Sequence, residues 1–407
     1  MVYVKIPKGD QILVYDPPIN MVSFYKTTQS MNQKNLTEIL QERFSDIIKI
    51  NPWMAGRLVK DKVDGVKDMY LSFSESVENA AQYVVCHTND ALFEKKDWDS
   101  LCSELFGDET LSFPAYKCLN KDAKLCCLHV FENSSKTEAA ILLSLNHVVG
   151  DGYTCYQIWR MLDANEPIWG LEPRKDGKFD DHVRAETSLP PLSDMSMMGY
   201  MWSTFKRGLS RKMRCKPAPI ICVYKLNNEA IEQIKSKYNT DTRFVSTHDI
   251  VCSTFFPLCE DDNMSFAMNM RGRLSKVDKK LCGNYEVICP VSVGKQITPV
   301  DFRNNWKKLL TKRAPTPRVG FNMSTSWTTF YHQVELPGYS HVAHFPVFDL
   351  KSSMEMLGIP LTAEFFVCTF KLSLEETGVL FVAYSDIITE EFFEDCELLA
   401  GKFHLEK

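Results

Sequence analysis

Apolar positions recur along the chain in two rhythms. In NLTEILQERFSDIIKI, Leu36, Ile39, Leu40, Phe44, Ile47 and Ile48 fall three and four residues apart and predict a helix. Elsewhere, short apolar runs bounded by Asn, Asp, Gly or Pro predict strands: QILVYDPP, NMVSFYK, KDMYLSFS, AQYVVCHT, LCCLHVFEN and AAILLSLN. NPWMAGRLVK reads as a turn into an extended segment, punctuated by Pro52 and Gly56, and KKDWDSLCSELF as a short helix.

From Asp163 to about Pro219 the pattern breaks, and polar residues with scattered Pro and Gly give the composition of a linker. A second alternating block follows. IICVYKLN, MSFAMNM, YEVICPVSV, FNMSTSW, EFFVCTFKLSL and VLFVAYSD predict strands. NEAIEQIKSKYN, STHDIVCSTFFPLC and TEEFFEDCELLAGKF predict helices, the second capped by Ser246 or Thr247. The expected architecture is α/β. Two domains, 1–190 and 220–407, each have a mixed β-sheet with helices, and a crossover linker at 191–219 joins them.

Composition narrows the picture. The chain has 407 residues, 44% of them hydrophobic, enough for two ordinary cores. A net charge of −5 gives no footprint of a nucleic-acid binder. The 14 cysteines include no Cys-x-x-Cys and no His/Cys cluster with zinc spacing, so no metal is expected. They read as buried or free thiols in a reducing compartment, and a cytoplasmic location is expected. The N-terminus lacks a basic start followed by an apolar run, so no signal peptide is expected; nor does any apolar run suggest a membrane span.

The chemistry concentrates in NHVVGDG, Asn146–Gly152. An apolar run precedes it and the helical spacing of YTCYQIWRMLD follows, so the motif lies on a strand-to-helix turn, where functional groups are commonly presented. His147 can move a proton near neutral pH. Asp151 has two readings: it orients the imidazole, or it turns away and pairs with an Arg to lock the turn. Gly152 suits a tight backbone or a close approach. No nucleophile accompanies the His, because Ser144 lies three residues earlier on a strand. The pattern points to a general base acting directly on a substrate hydroxyl or amine, without a covalent enzyme intermediate.

Landmarks in a fixed order extend this reading. They are FYK at Phe24–Lys26, NPWMAGRL at Asn51–Leu58, NHVVGDG, VSTHDIVCSTFF at Val245–Phe256, NMRGRL with GN at Gly283–Asn284, STSW at Ser324–Trp327, and LP at Leu336–Pro337. Together they resemble the BAHD acyltransferases, within the fold group of chloramphenicol acetyltransferase and the condensation domains of peptide synthetases. The family's D-F-G-W-G motif is absent; the equivalent stretch reads YSHVAHFPVFD, and its Asp is missing or displaced to Asp349.

The resemblance implies acyl transfer from an acyl-CoA co-substrate to a small-molecule alcohol or amine, of the kind found in specialised metabolism. It implies no permanently bound cofactor. His147 would be the base, and Trp327 the donor to the oxyanion, with Thr325 and Ser326 facing the substrate. Lys312, Arg313 and Arg318 would meet the phosphates of CoA. Asp151 and Gly152 would be structural, with Asp151 held by an Arg, and one of Arg271 and Arg273 deprived of its usual partner. A monomer is expected. Residues 195–216 present a Met-rich face followed by Lys and Arg, which suits packing between domains or contact with an anionic membrane surface. Two further functions stand beside acyl-CoA transfer: condensation fed by a carrier protein, and a non-catalytic binding protein that retains the fold.

Overall fold

The structure, a computed structural model, describes residues 1–407 except 29–35, 64, 108–113, 174–176, 195–205, 207–208, 212, 216–218, 260–262, 312–314, 316–321, 349–354, 357–358, 361–364, 385–388 and 406–407. The first half contributes strands β1 (Val2–Lys5), β2 (Ile19–Thr27), β3 (Arg57–Val63), β4 (Val66–Phe73), β5 (Val84–Thr88), β6 (Cys126–Glu132) and β7 (Glu138–Leu145). The second contributes β8 (Pro219–Leu226), β9 (Asn263–Asn269), β10 (Glu286–Ser292), β11 (Asn322–Ser326), β12 (Tyr339–Pro346), β13 (Glu355–Met356), β14 (Ile359–Pro360), β15 (Phe365–Lys371), β16 (Thr377–Tyr384) and β17 (Leu399–Lys402).

Two main sheets form. One has five strands in the order β12-β2-β7-β6-β5; the other has seven, β10-β9-β11-β15-β16-β8-β17. A three-stranded sheet, β1-β4-β3, flanks the first. The predicted α/β architecture with two mixed sheets is therefore present. The continuous apolar run of β16 has a simple cause. Leu380 and Val382 face the core shared with the first sheet, while Val379, Phe381 and Ala383 face the second core. Alternation buries both faces, so no polar position is left between Gly378 and Ala383.

Four sequence expectations are corrected. QILVY, read as a strand, is a 3-10 helix at Asp10–Tyr15, because Pro17 and Pro18 cut the run short before β2. The C-terminal segment, read as one helix, divides into a helix at Glu390–Asp395 and strand β17, which pairs with β8. The polar connection contains a helix, Phe179–Glu186, whose Phe179 and Val183 belong to the second core. The boundaries at 190 and 220 therefore do not separate the two sheets. Strand β12, far beyond residue 220, completes the first sheet by pairing antiparallel with β2.

That crossing strand is fastened from inside. The buried imidazole of His344 lies 2.8 Å from Ser23 Oγ and 2.9 Å from Tyr156 Oη. Of the Met195–Lys216 segment, Lys206, Leu209–Arg211 and Met213–Cys215 are described; Arg211 stacks over the Tyr384 ring at 3.7 Å, and Leu209 and Met213 are exposed. The cysteines are free and most are buried.

The helix Thr247–Phe255 begins with a capping box between Ser246 and Asp249. The buried Asp249 carboxylate also accepts from Arg303 Nε at 2.8 Å and Trp306 Nε1 at 3.1 Å, tying this helix to the helix Pro299–Leu309. Asp249→Ala should lower stability by about 3–5 kcal/mol, since it strands a largely buried guanidinium and opens the cap. Urea unfolding of the variant checks this.

Candidate active site

Strand β7 carries the chain out of the first sheet and into the Asn146–Gly152 turn, and the helix Gly152–Arg160 leads away from it. Asp151 is the N-cap of that helix. Its Oδ1 accepts from Thr154 N and Thr154 Oγ1, both at 2.9 Å. Its Oδ2 accepts from Arg271 Nη1 at 2.7 Å and Tyr285 N at 3.2 Å. Asp151 thus turns away from His147 and pairs with an Arg of the second half. Both partners are buried, with side-chain exposures of 1% for Arg271 and 2% for Asp151. Burial pushes the Asp151 pKa up, but the guanidinium and the Thr154 donors outweigh it, leaving the carboxyl below its ordinary value.

Each of the five N–H donors of Arg271 has an acceptor. Nε donates to Leu281 O, Nη1 to Asp151 and Asn269 Oδ1, and Nη2 to Gly283 O and Thr154 Oγ1. Tyr153 and Tyr285 flank its plane at 4.6 and 4.9 Å. Arg273, two residues on, has a different environment. It is exposed, its Nε donates to the Asn269 carbonyl at 3.0 Å, and no described carboxylate pairs with it.

The partner of His147 is Asn284. Asn284 Nδ2 donates to the carbonyls of His147 at 2.8 Å and Val148 at 3.3 Å. This fixes the amide orientation and leaves Oδ1, 3.2 Å from His147 Nδ1, as an acceptor. A neutral His147 therefore carries its proton on Nδ1 and keeps the Nε2 lone pair available. Gly283, at φ +110°, makes the bend that delivers Asn284; a side chain there would be strained. Burial lowers the His147 pKa, but the negative charges of Glu286 and Asp16 outweigh it and hold the imidazole above its ordinary value.

Across the turn stands Trp327, at the end of β11. A Cβ added to Gly152 would lie 2.8 Å from Trp327 Nε1. The indole is 8% exposed and its N–H meets no described acceptor. A cavity of about 660 Å³ opens beside it, walled by both halves of the chain. Asp151, Gly152, Arg271, Arg273, Thr325, Ser326 and Trp327 all contribute to its lining. His147 is half-buried behind this wall and is not among the lining residues. Lys312, Arg313, Arg318 and Asp349 lie outside the described residues.

Sequence reasoning missed three groups here. Glu286 lines the cavity, and burial, opposed by the His147 charge, pushes its carboxyl up to about 7. A charge inside the apolar run YEVICPV was the available signal. His248 also lines the cavity, beside Ser324 Oγ at 3.1 Å, and burial lowers its pKa to about 4, so it is neutral. Asn284 was noted only as part of a motif.

No protein-family model matches the chain, and no curated protein matches it in sequence. Solved structures match it in shape. F. sporotrichioides TRI101 complexed with coenzyme A and T-2 is 14% identical, with all of both chains covered and a TM-score of 0.60. Vinorine synthase is 11% identical over 100% of this chain and 95% of that one, with a TM-score of 0.63. The first condensation domain of the CDA synthetase is 9% identical over 96% and 92% of the two chains, with a TM-score of 0.60. The chain thus has the fold of the chloramphenicol-acetyltransferase-like group.

Asp151→Ala should destabilise the protein by about 3–5 kcal/mol, because it leaves the Arg271 guanidinium buried without its counter-ion. Guanidinium chloride unfolding at neutral pH measures the loss.

Proposed function

We propose that the protein transfers an acyl group from a CoA thioester to the hydroxyl or amine of a small molecule, with His147 as general base and no acyl-enzyme. The observation that carries this reading is that, among the described residues, the Trp327 N–H beside Gly152 has no acceptor and His147 Nε2, on the same turn, has no partner, its Nδ1 being taken by Asn284. Acyl transfer needs these two groups: a base for the acceptor and a donor for the oxyanion. The likeness to TRI101, whose structure is complexed with coenzyme A, supports the donor.

In this mechanism His147 Nε2 takes the acceptor proton as its oxygen or nitrogen attacks the thioester carbonyl. The Trp327 indole N–H donates to the oxygen that gains charge. As the C–S bond breaks, His147 returns the proton to the CoA sulfur. Asn284 holds the imidazole in the required tautomer throughout. Asp151 acts only through the turn it locks, and Thr325 and Ser326 present polar groups along the cavity wall. The CoA phosphates are assigned to Lys312, Arg313 and Arg318. The protein acts as a monomer in the cytoplasm; no helix among the described residues is long and apolar enough to cross a membrane.

The likeness to a condensation domain supports a second reading, in which the acyl group arrives on a carrier protein. Transfer from free acyl-CoA, followed by release of CoA thiol with and without acceptors, separates the two. Thiol release from free acyl-CoA that depends on acceptor supports the first reading; transfer from a loaded carrier alone supports the second.

His147→Ala should lower turnover by about 10²–10⁴-fold with little change in stability. More than a tenth of wild-type turnover at saturating acceptor would remove His147 from the mechanism. The base must be neutral to act, and its pKa is raised. Turnover should therefore fall as the pH drops through a value above about 6.5, read from a pH–kcat profile. Trp327→Phe keeps an aromatic ring but loses the N–H, and kcat should fall by about 10²–10³-fold with KM for acyl-CoA less affected.

A further inference from the structure

The cavity holds a carboxyl that the acyl-transfer steps above do not use. Glu286 opens β10, two residues after Asn284, and lines the cavity together with Gly152 and Trp327. No described residue gives its carboxyl a hydrogen bond or an ion pair, although it is only partly exposed. Carboxylates taken from water without partners are costly, so such a group is expected to receive a donor from whatever fills the cavity. The charged groups around it are His147, Asp151, Arg271 and Asp10. Asp151 and Arg271 neutralise one another. The charges of His147 and Glu286 each shift the other toward its ionised form.

The number of bases bears on the identity of the acceptor. An alcohol loses one proton on acylation, and one base suffices. A primary amine enters as an ammonium near neutral pH and must lose two protons to become an amide. We infer that Glu286 is the acceptor-side base of an N-acyltransferase: its cavity-facing, unpartnered carboxylate binds the ammonium of a primary amine and takes its first proton, and His147 takes the second. This rests on the acyl-transfer reading and narrows its acceptor to the amines.

The protons balance. The ammonium passes one proton to the Glu286 carboxylate and becomes a neutral amine. The nitrogen lone pair attacks the thioester carbonyl, and the C–N bond forms. His147 Nε2 removes the second proton from that nitrogen. The C–S bond breaks, and the sulfur receives the proton from His147. Glu286 then releases its proton to water through the cavity. The net products are an amide, CoA thiol and one proton. A carboxyl whose pKa burial has raised to about 7 is matched to this task, because it takes up and releases a proton near neutrality.

The test pairs amines with alcohols of the same skeleton, 2-phenylethylamine with 2-phenylethanol and 1,4-diaminobutane with 1,4-butanediol, using acetyl-CoA and benzoyl-CoA. Amines should be acylated with at least tenfold higher kcat/KM than their alcohols. Glu286→Gln should lower the amine value at least tenfold, and at least fivefold more than it lowers the alcohol value. It should also move the acidic limb of the alcohol pH–kcat profile to lower pH, because His147 loses its anionic neighbour. Alcohols favoured over amines, or equal losses on both, would overturn the inference while leaving acyl transfer intact. Absence of any thiol release by the wild type would overturn the acyl-transfer reading instead. Calorimetric titration of 2-phenylethylamine into the protein reads Glu286 without turnover. Binding weakened at least fivefold by Glu286→Gln supports the carboxylate–ammonium contact; binding that is absent in the wild type, or unchanged in the variant, overturns it.

Discussion

The buried pair between Asp151 and Arg271 is the constraint on which the site depends. It joins the turn that ends β7 of the first sheet to the segment that follows β9 of the second. A buried ion pair contributes little net stability unless its remaining donors and acceptors are satisfied. Here each carboxylate oxygen accepts two bonds and every guanidinium N–H has a partner. Several of those partners, Gly283, Leu281 and Tyr285, flank Asn284, and Thr154 starts the helix behind the turn. The charges that hold the halves together thereby also set where Asn284 meets His147.

The orientation of His147 follows from this arrangement. A carboxylate at the position of Asn284 would stabilise an imidazolium strongly and compete with the base role proposed for His147. An amide accepts one hydrogen bond from Nδ1 without bringing a charge, while its NH₂ group reads two backbone carbonyls. Tautomer and charge are thus controlled separately. Asn284 sets the first, and the more distant carboxylates of Glu286 and Asp16 adjust the second. Deep burial alone would have driven the pKa down, as it does for His344 and His341.

Much of this was legible in the chain where local pattern and final environment agree. The β7 run, the Asn146–Gly152 turn and the Ser246 cap each declare themselves within a dozen residues. Strand β12 did not, because its partner β2 lies some three hundred residues away, and its alternation contains His341 and His344 in place of aliphatic residues. QILVY has strand composition but too little length before Pro17. Arg271 and Arg273 are indistinguishable by residue type; only tertiary structure gives one a saturated burial and the other a single backbone carbonyl. Glu286 and Asn284 belong to the site because Gly283 turns the chain toward His147, and spacing alone does not encode that direction.

The last element is the closeness of the two halves at Gly152. Strand β11 runs parallel to both β9 and β15, so its end projects from the second sheet toward the turn of the first. Trp327 N donates to Thr369 O at 2.8 Å, which keeps the residue anchored to β15 as it leaves the strand. Its indole then approaches so near that even one methyl group on residue 152 would meet Nε1, Cε2 and Cδ1 at 2.8–3.3 Å. A larger residue would push the ring away, by rotation or by separating the sheets, and the latter would stretch the Asp151–Arg271 pair. Gly152 therefore does more than ease a tight turn, for its own φ does not require glycine. Its missing side chain is the space through which an N–H from one sheet reaches the turn carried by the other.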